Sequence, residues 1–372
     1  AVLTGNLTRS GQASGSFSGA WEKVRPWAMH EVGGFKIAII GLVTPGLPYW
    51  LTPETLGGAE VTDPAAALAA SVKEARGEGA EAVVVTGHMG WRFQDDYANP
   101  VRELLQKREG VDIYLAGHSH QNQPAWMQGD VLCSQASYYG IHCGRVDLTF
   151  DTASRKLVER RVFTVLMDDR FEADPLVMQV AEPAMAASDA EQARTVCRVA
   201  AAVKGGKRGS PLISLLCQAF AQVLAKQKTP VDGIFHGSFG TKEIPAGELT
   251  VADCWKIIPY ENLLVTAELT GRQLVEVVRE DKKDRSSDRT LWPFELTLDR
   301  GGTPTRFTLA GAPVDPDRRY TIAFNSYDGQ SGGRRLMTFR ELAASPEAKR
   351  STTSIGTREA LIDYCLDAGS IG

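Results

Sequence analysis

Eleven residues, Val111 to Gln121, read V-D-I-Y-L-A-G-H-S-H-Q: an apolar run, a glycine, then two imidazoles separated by one serine. On a helix, residues two apart point to different faces, whereas on an extended or looped backbone both rings can face one point. Histidine is the commonest metal ligand among side chains, so two rings converging past a strand end suggest a metal site. Upstream, Glu81–His88 repeats the pattern as E-A-V-V-V-T-G-H. Three of the six histidines, His88, His118 and His120, thus stand at such exits and are the candidate metal ligands. The competing reading is a set of partly buried histidines bonded to loop carbonyls. His142, in a polar hairpin segment, reads as structural. His30 precedes Gly33-Gly34 on a strand segment and has no neighbouring Asp or Asn.

The elements that must position these rings are legible around them. Residues 35–41 form a β-branched run ending in Gly41. Asp63 and Pro64 open a helix whose apolar face is Leu68, Val72 and Ala75, stopped by Gly77 and Gly79. A second helix carries Val101, Leu104 and Leu105, and Val131–Phe150 reads as two further strands. This alternation predicts an α/β layer of buried, largely parallel strands, with ligands at the strand carboxyl ends. Residues 168–209 change character: acidic, alanine-rich helical sequence from Asp174 to Ala202 leads into Lys204-Gly205-Gly206-Lys207-Arg208-Gly209, a linker helix and hinge. From Ser210-Pro211 a second α/β unit is expected. Its helices are predicted from Pro211, over Thr250–Ile257 with a Thr250/Asp253 capping box, and over Thr270–Glu280. Its strands are expected at 231–235, 262–269 and 319–325. The predicted domains are 1–167, the linker 168–209, and 210–372.

Composition narrows the partners. Length of 372 residues suits about two domains, and 43% hydrophobic with 23% charged residues is the composition of a globular protein. A formal charge of −4 argues against binding nucleic acid by neutralising phosphates. No apolar run is long enough to span a membrane. The six cysteines are scattered without a C-x-x-C pair and do not fix a redox compartment. The oligomeric state does not follow from these residues. Ala1 to Asn6 looks like a strand already under way, with no initiator Met and no signal peptide, so the chain reads as a fragment or processed product.

At this point the chain resembles the 5′-nucleotidase family of metallophosphoesterases over nearly its whole length. G-L-V-T-P at 41–45, G-H-M-G at 87–90 and G-H-S-H at 117–120 are similar to the family's strand turn and two histidine motifs. I-P-A-G-E-L-T at 244–250, P-Y-E-N at 259–262 and L-T-G-R-Q-L at 269–274 are similar to its C-terminal substrate domain. F-N-S-Y at 324–327 with S-G-G at 331–333 resembles its base-binding loop. The resemblance implies an α/β fold: a four-layer αββα metallophosphoesterase sandwich, here partial, followed by the α/β substrate domain. It implies two divalent ions, Zn, Mn or similar, with His88 and His118 on one and His120 on the other. Such a pair generates hydroxide and clamps phosphoryl oxygens. It also implies that Tyr260 and Tyr327 stack on a nucleobase, with Asn262 on the base edge, and a periplasmic or extracellular location.

Three departures qualify what carries over. The family's Asp-x-His, bridging Asp and Gly-Asn-His-Glu motifs are absent, so the catalytic histidine is expected upstream of Ala1 and the chain as given is expected to be inactive. The substrate loop ending in Ile-Arg is here His236-Gly237-Ser238-Phe239-Gly240-Thr241, with Lys242 as the nearby cation. Arg334 and Arg335 stand where the family often has Asp; they read either as phosphate binders or as a solvated loop. His236 receives no role. The expected activity is hydrolysis of nucleotide phosphoesters, with cyclic-nucleotide phosphodiesterase or nucleotide-sugar hydrolase as variants. A catalytically dead nucleotide-binding protein of the same fold is the alternative.

Overall fold

The computed structural model describes residues 2–9, 23–106 and 108–372. Ala1, part of the segment read above as a strand under way, lies outside them. The chain divides into two compact units: Ala1–Pro48 with Pro53–Ala173, and Tyr49–Thr52 with Asp174–Gly372.

In the first unit, six strands make one sheet: β1 (Trp27–Val32), β2 (Phe35–Leu42), β3 (Ala82–Gly87), β4 (Ile113–Ala116), β5 (Asn122–Gln128) and β6 (Val131–Ala136). Their spatial order is β1-β2-β3-β4-β6-β5. The four central strands are parallel, as the alternation with helices predicts, and β1 and β5 run antiparallel at the edges. Strand β3 is apolar at successive positions because both its faces are covered. Val83 and Val85 pack with Leu68, Val72 and Leu104, whereas Val84 packs with Ile113 and Val162. The helices on the first face are α1 (Pro64–Gly77) and α2 (Val101–Leu105). Asp63 caps α1, its carboxylate accepting from the amides of Ala65 and Ala66 at 3.0 and 3.2 Å. The opposite face meets a two-stranded sheet of β7 (His142–Phe150) and β8 (Leu157–Leu166). Helix, sheet and sheet are the layers of a metallophosphoesterase sandwich present among the described residues.

The second unit opens with α3 (Pro175–Gln192). The helical reading from Asp174 to Ala202 is corrected here: Thr195–Val199 is a strand, β9. Thr195, Val196 and Val199 are β-branched, and Val196, Cys197 and Val199 are buried in the core, so packing on a sheet overrides the alanine-rich context. After it come α4 (Pro211–Lys226), β10 (Gly233–His236), β11 (Gly247–Thr250), α5 (Val251–Ile257), β12 (Leu263–Thr270) and α6 (Gly271–Asp281). Then follow β13 (Thr290–Trp292), β14 (Arg319–Asn325), α7 (Ser326–Gly329), α8 (Met337–Ala344), β15 (Ser351–Gly356) and α9 (Thr357–Ala368). Five of the strands form a mixed sheet in the order β13-β10-β14-β12-β15, with β10 and β14 parallel. Alternate residues again serve two cores: Ile234, Leu264 and Ala323 on one face, Phe235, Val265 and Phe324 on the other. The Thr250/Asp253 capping box is present, and a second one, Thr270/Gln273, opens α6. Ser210 precedes α4 as expected, but its hydroxyl makes no cap bond.

Candidate functional site

In the first unit the parallel register of β3 and β4 pairs Gly87 with Ala116, so both chains leave the sheet at the same level. His88 follows the first and Gly117-His118 the second, and Nε2 of His88 lies 3.3 Å from Nδ1 of His118. The glycines on either side are required by close approach. A Cβ at Gly87 would sit 2.2 Å from the Tyr114 hydroxyl, and one at Gly90 would sit 2.1 Å from Oγ of Ser119. Ser119 is buried between the two histidines and exchanges hydrogen bonds with the Gln135 amide at 2.9 and 3.0 Å. Gln135 also accepts from the amide of Trp91 at 3.0 Å, which ties the two histidine loops together. His118 and His120 hold φ of 66° and 56°, a left-handed backbone uncommon for non-glycine residues and typical of functional turns. His120 is exposed and stacks on Tyr138 with ring centroids 5.0 Å apart, rather than facing His118 edge-on as His88 does.

Burial lowers the pKa of His118 to about 4, with the neighbouring His88 adding to the effect. His88 is likewise lowered, first by desolvation and then by His120. Both rings are therefore neutral at pH 7 and have lone pairs to offer. Two ligands bound tetrahedrally at about 2.0–2.1 Å have nitrogens roughly 3.3–3.4 Å apart. The His88–His118 separation fits two ligands of one ion. Among the described residues, however, no group of three His, Cys, Asp or Glu side chains is arranged to hold one.

In the second unit, three loops reach one edge of the five-stranded sheet. Register pairs Phe235 with Phe324 across the parallel strands, so His236 ends β10 beside Asn325, which ends β14. On the other side of β14, Leu264 pairs with Asn325, bringing the 259–262 loop to the start of α7. There the Ser326 hydroxyl accepts from the Leu263 amide at 3.2 Å. Tyr327 rides on α7, half-buried, and Tyr260 is 59% exposed with its ring 5.6 Å from that of Phe239. The carbonyl of Asn262 accepts from the Thr357 amide at 2.8 Å, which fixes its backbone but leaves its side chain to other partners.

Beneath α7 lies a feature the sequence did not signal. Asp328, buried, accepts two hydrogen bonds from Arg289 at 2.9 and 2.6 Å and one from the Asn325 amide at 2.8 Å. Burial alone would raise the Asp328 pKa, but Arg289 more than offsets it and the carboxyl is lowered. Arg289 came from a charged stretch, D-R-S-S-D-R, that reads as solvated surface; nothing in its spacing points to a buried partner. Of the arginine pair, Arg335 donates to the Gly332 carbonyl at 2.7 Å and faces Asp284 at 3.6 Å, while Arg334 and Arg340 each stand 5.2 Å from the Tyr49 ring.

Residues 186–341 match the model of the 5′-nucleotidase C-terminal domain. The chain is 24% identical over 343 residues to endonuclease YhcR of Bacillus subtilis, covering 90% of this chain and 27% of that protein. It is 22% identical over 354 residues to silent protein UshA(0) of Salmonella typhimurium, covering 83% of this chain and 64% of that protein. The chain thus spans about a quarter to two-thirds of the length of these curated relatives. Among solved structures, a putative 5′-nucleotidase from Staphylococcus aureus superposes with a TM-score of 0.73 at 18% identity, over 98% of this chain and 74% of that one. The 5′-nucleotidase precursor from Thermus thermophilus gives 0.67 at 20% identity, over 100% of this chain and 76% of that one.

Proposed function

We propose, from the premise that this chain belongs to the 5′-nucleotidase family, that it serves in the hydrolysis of nucleotide phosphoesters. The second unit binds the nucleoside moiety, with Tyr260 and Tyr327 stacking on the base and Asn262 on its edge. The observation that carries this reading is the family match over 186–341, the stretch that contains all three residues. The convergence of their loops on one sheet edge supports it, because ligands collect where parallel strands end.

In the first unit His88, His118 and His120 would hold divalent ions of the Zn or Mn type. Bound there, such ions supply Lewis-acid polarisation of phosphoryl oxygens. The chain's own contribution is two neutral imidazoles at a ligand-like separation, held by Ser119 and Gln135. With no three-donor group among the described residues, the chain by itself binds nucleotide with little turnover. No helix among the described residues is long and apolar enough to cross a membrane. A periplasmic or extracellular location belongs to the same proposal, and cell fractionation checks it.

The test is a pair of binding measurements on the full chain. Tyr327→Ala should weaken AMP binding by about 1–3 kcal/mol, the worth of one stacking face, and leave a phosphate ester without a base unaffected. Equal loss on both ligands would overturn the base-binding assignment. For the metal end, His118→Ala should weaken zinc binding about tenfold or more; unchanged affinity would remove these histidines from the ligand set.

A further inference from the structure

The loop that carries Tyr260 and Asn262 is held from α9. Its middle, Pro259 to Glu261, is exposed and belongs to no helix or strand, so its own secondary structure does not fix its shape. Its two ends are held by consecutive residues of α9. Nη1 of Arg358 donates to the Ile258 carbonyl at 3.2 Å, and the Thr357 amide donates to the Asn262 carbonyl at 2.8 Å. The antiparallel register of β12 and β15 pairs Leu263 with Gly356, which delivers both α9 residues to the loop.

Arg358 is an unusual residue for that place. Its side chain is only 4% exposed, and a buried guanidinium costs stability unless it is well partnered. Its charged carbon lies 3.4 Å from the centre of the Trp255 ring, which sits on α5 shortly before the loop. Glu261 and Glu359 approach at 3.6 and 3.7 Å, but their side chains are 80% and 59% exposed. Ion pairs that water reaches so freely contribute little. The stack on Trp255 and the bond to the Ile258 carbonyl therefore hold the guanidinium, and both partners belong to the segment that leads into the loop. A methionine would fill the same space on α9 without the desolvation cost; what it would lose is the grip on the loop.

We infer that Arg358 is a positioning residue of the nucleoside site: it sets the backbone of the 259–262 loop and, through it, the presentation of the Tyr260 ring and the Asn262 side chain. The inference rests on the nucleoside reading of the second unit and adds to it a residue that acts without touching the ligand. Tyr260 is exposed over more than half its surface and has little packing of its own, so its place follows the backbone beneath it. A loop already held in its binding shape does not have to be ordered when the ligand arrives, and the saving appears as affinity.

The experiment measures binding of adenosine and ribose 5-phosphate to the full chain by calorimetry, well below each variant's Tm. Arg358→Met should weaken adenosine binding about tenfold and ribose 5-phosphate binding by less than about twofold. Its effect should not add to that of Tyr260→Ala. The double variant should bind adenosine within about threefold of Tyr260→Ala alone, because the ring that Arg358 places is already gone. A larger further loss would put the effect of Arg358 outside the loop and overturn the proposal. So would equal losses on both probes, or a lowered Tm with adenosine affinity unchanged, since either makes Arg358 a core residue only. If Arg358→Met does not fold, Trp255→Leu carries the test at a ring that is 46% exposed. A loss of about threefold for adenosine alone is expected there, and unchanged affinity overturns the proposal. Tyr260→Ala separates the two readings. If it weakens adenosine binding and Arg358→Met does not, this inference alone falls. If the unaltered chain binds no adenosine, both fall.

Discussion

At the scale of single residues, His236 makes a prediction in pH that needs no ligand. Its burial depresses the imidazole pKa to about 4 from the ordinary 6.5, against smaller opposing effects from Asp328, a backbone hydrogen bond to Gly237, and Asp288. The unfolded chain therefore binds a proton at this site between pH 6.5 and 4 that the folded chain does not. Stability contributed by the neutral ring is present above the unfolded value and is lost as pH falls through that window. One such group gives a slope of up to about 1.4 kcal/mol per pH unit. Denaturant unfolding of the unaltered chain and His236→Leu from pH 7 to 4.5 should show the variant gaining relative stability by up to that slope. Parallel curves would mean that the imidazole is protonated in the fold. The histidines of the first unit also have lowered pKa values, and they should give His88→Ala and His118→Ala the same sign of effect.

Among the elements, the caps and the buried ion pair set how firmly the site loops are held. Thr250 and Asp253 satisfy each other's amides at the start of α5, and α5 runs into the loop with Tyr260 and Asn262. Thr250→Ala should cost about 0.5–2 kcal/mol, seen as a fall of a few degrees in Tm. The Arg289–Asp328 pair anchors α7 from below. Arg289→Met strands a buried carboxylate and should cost about 3–5 kcal/mol, while Arg289→Met with Asp328→Asn should recover most of that loss. A double variant as unstable as the single one would show that Arg289 acts through packing and not through its charge. Both capping boxes are sequence-local, S/T-x-x-D/E/Q patterns. Arg289 and Asp328 are 39 positions apart, and no periodicity links them.

On the scale of the whole molecule, the chain carries its chemistry in two separately cored units. The residues proposed for nucleoside recognition lie in the second unit, and the imidazoles proposed as metal ligands lie in the first. Adenosine affinity should therefore be unchanged, within about twofold, by a strong chelator. On the proposal that only His88 and His118 hold an ion, hydrolysis of AMP by this chain with Zn or Mn supplied should remain far below enzymic rates, since two ligands hold a metal weakly. Turnover at a rate typical of enzymes, about 1–1,000 per second, would show that a complete metal site exists and overturn the low-turnover part of the proposal.

What the sequence determined by itself was the grammar of elements and the order of motifs. Two-residue and 3.6-residue periods, glycine stops and caps are encoded within a few positions, so the parallel strands of the first unit and most helices were legible. The family resemblance followed from motifs in chain order. Thr195–Val199 was misread as helix because an alanine-rich neighbourhood outweighed five residues whose strand character comes from pairing with Gly247–Thr250 and Ser370–Ile371. Only the tertiary structure brought His88 to His118, gave Asp328 its arginine, and buried His236 between Phe220 and Phe239. Each depends on which strands become neighbours and in what register, and long-range pairing leaves no local trace in composition or spacing.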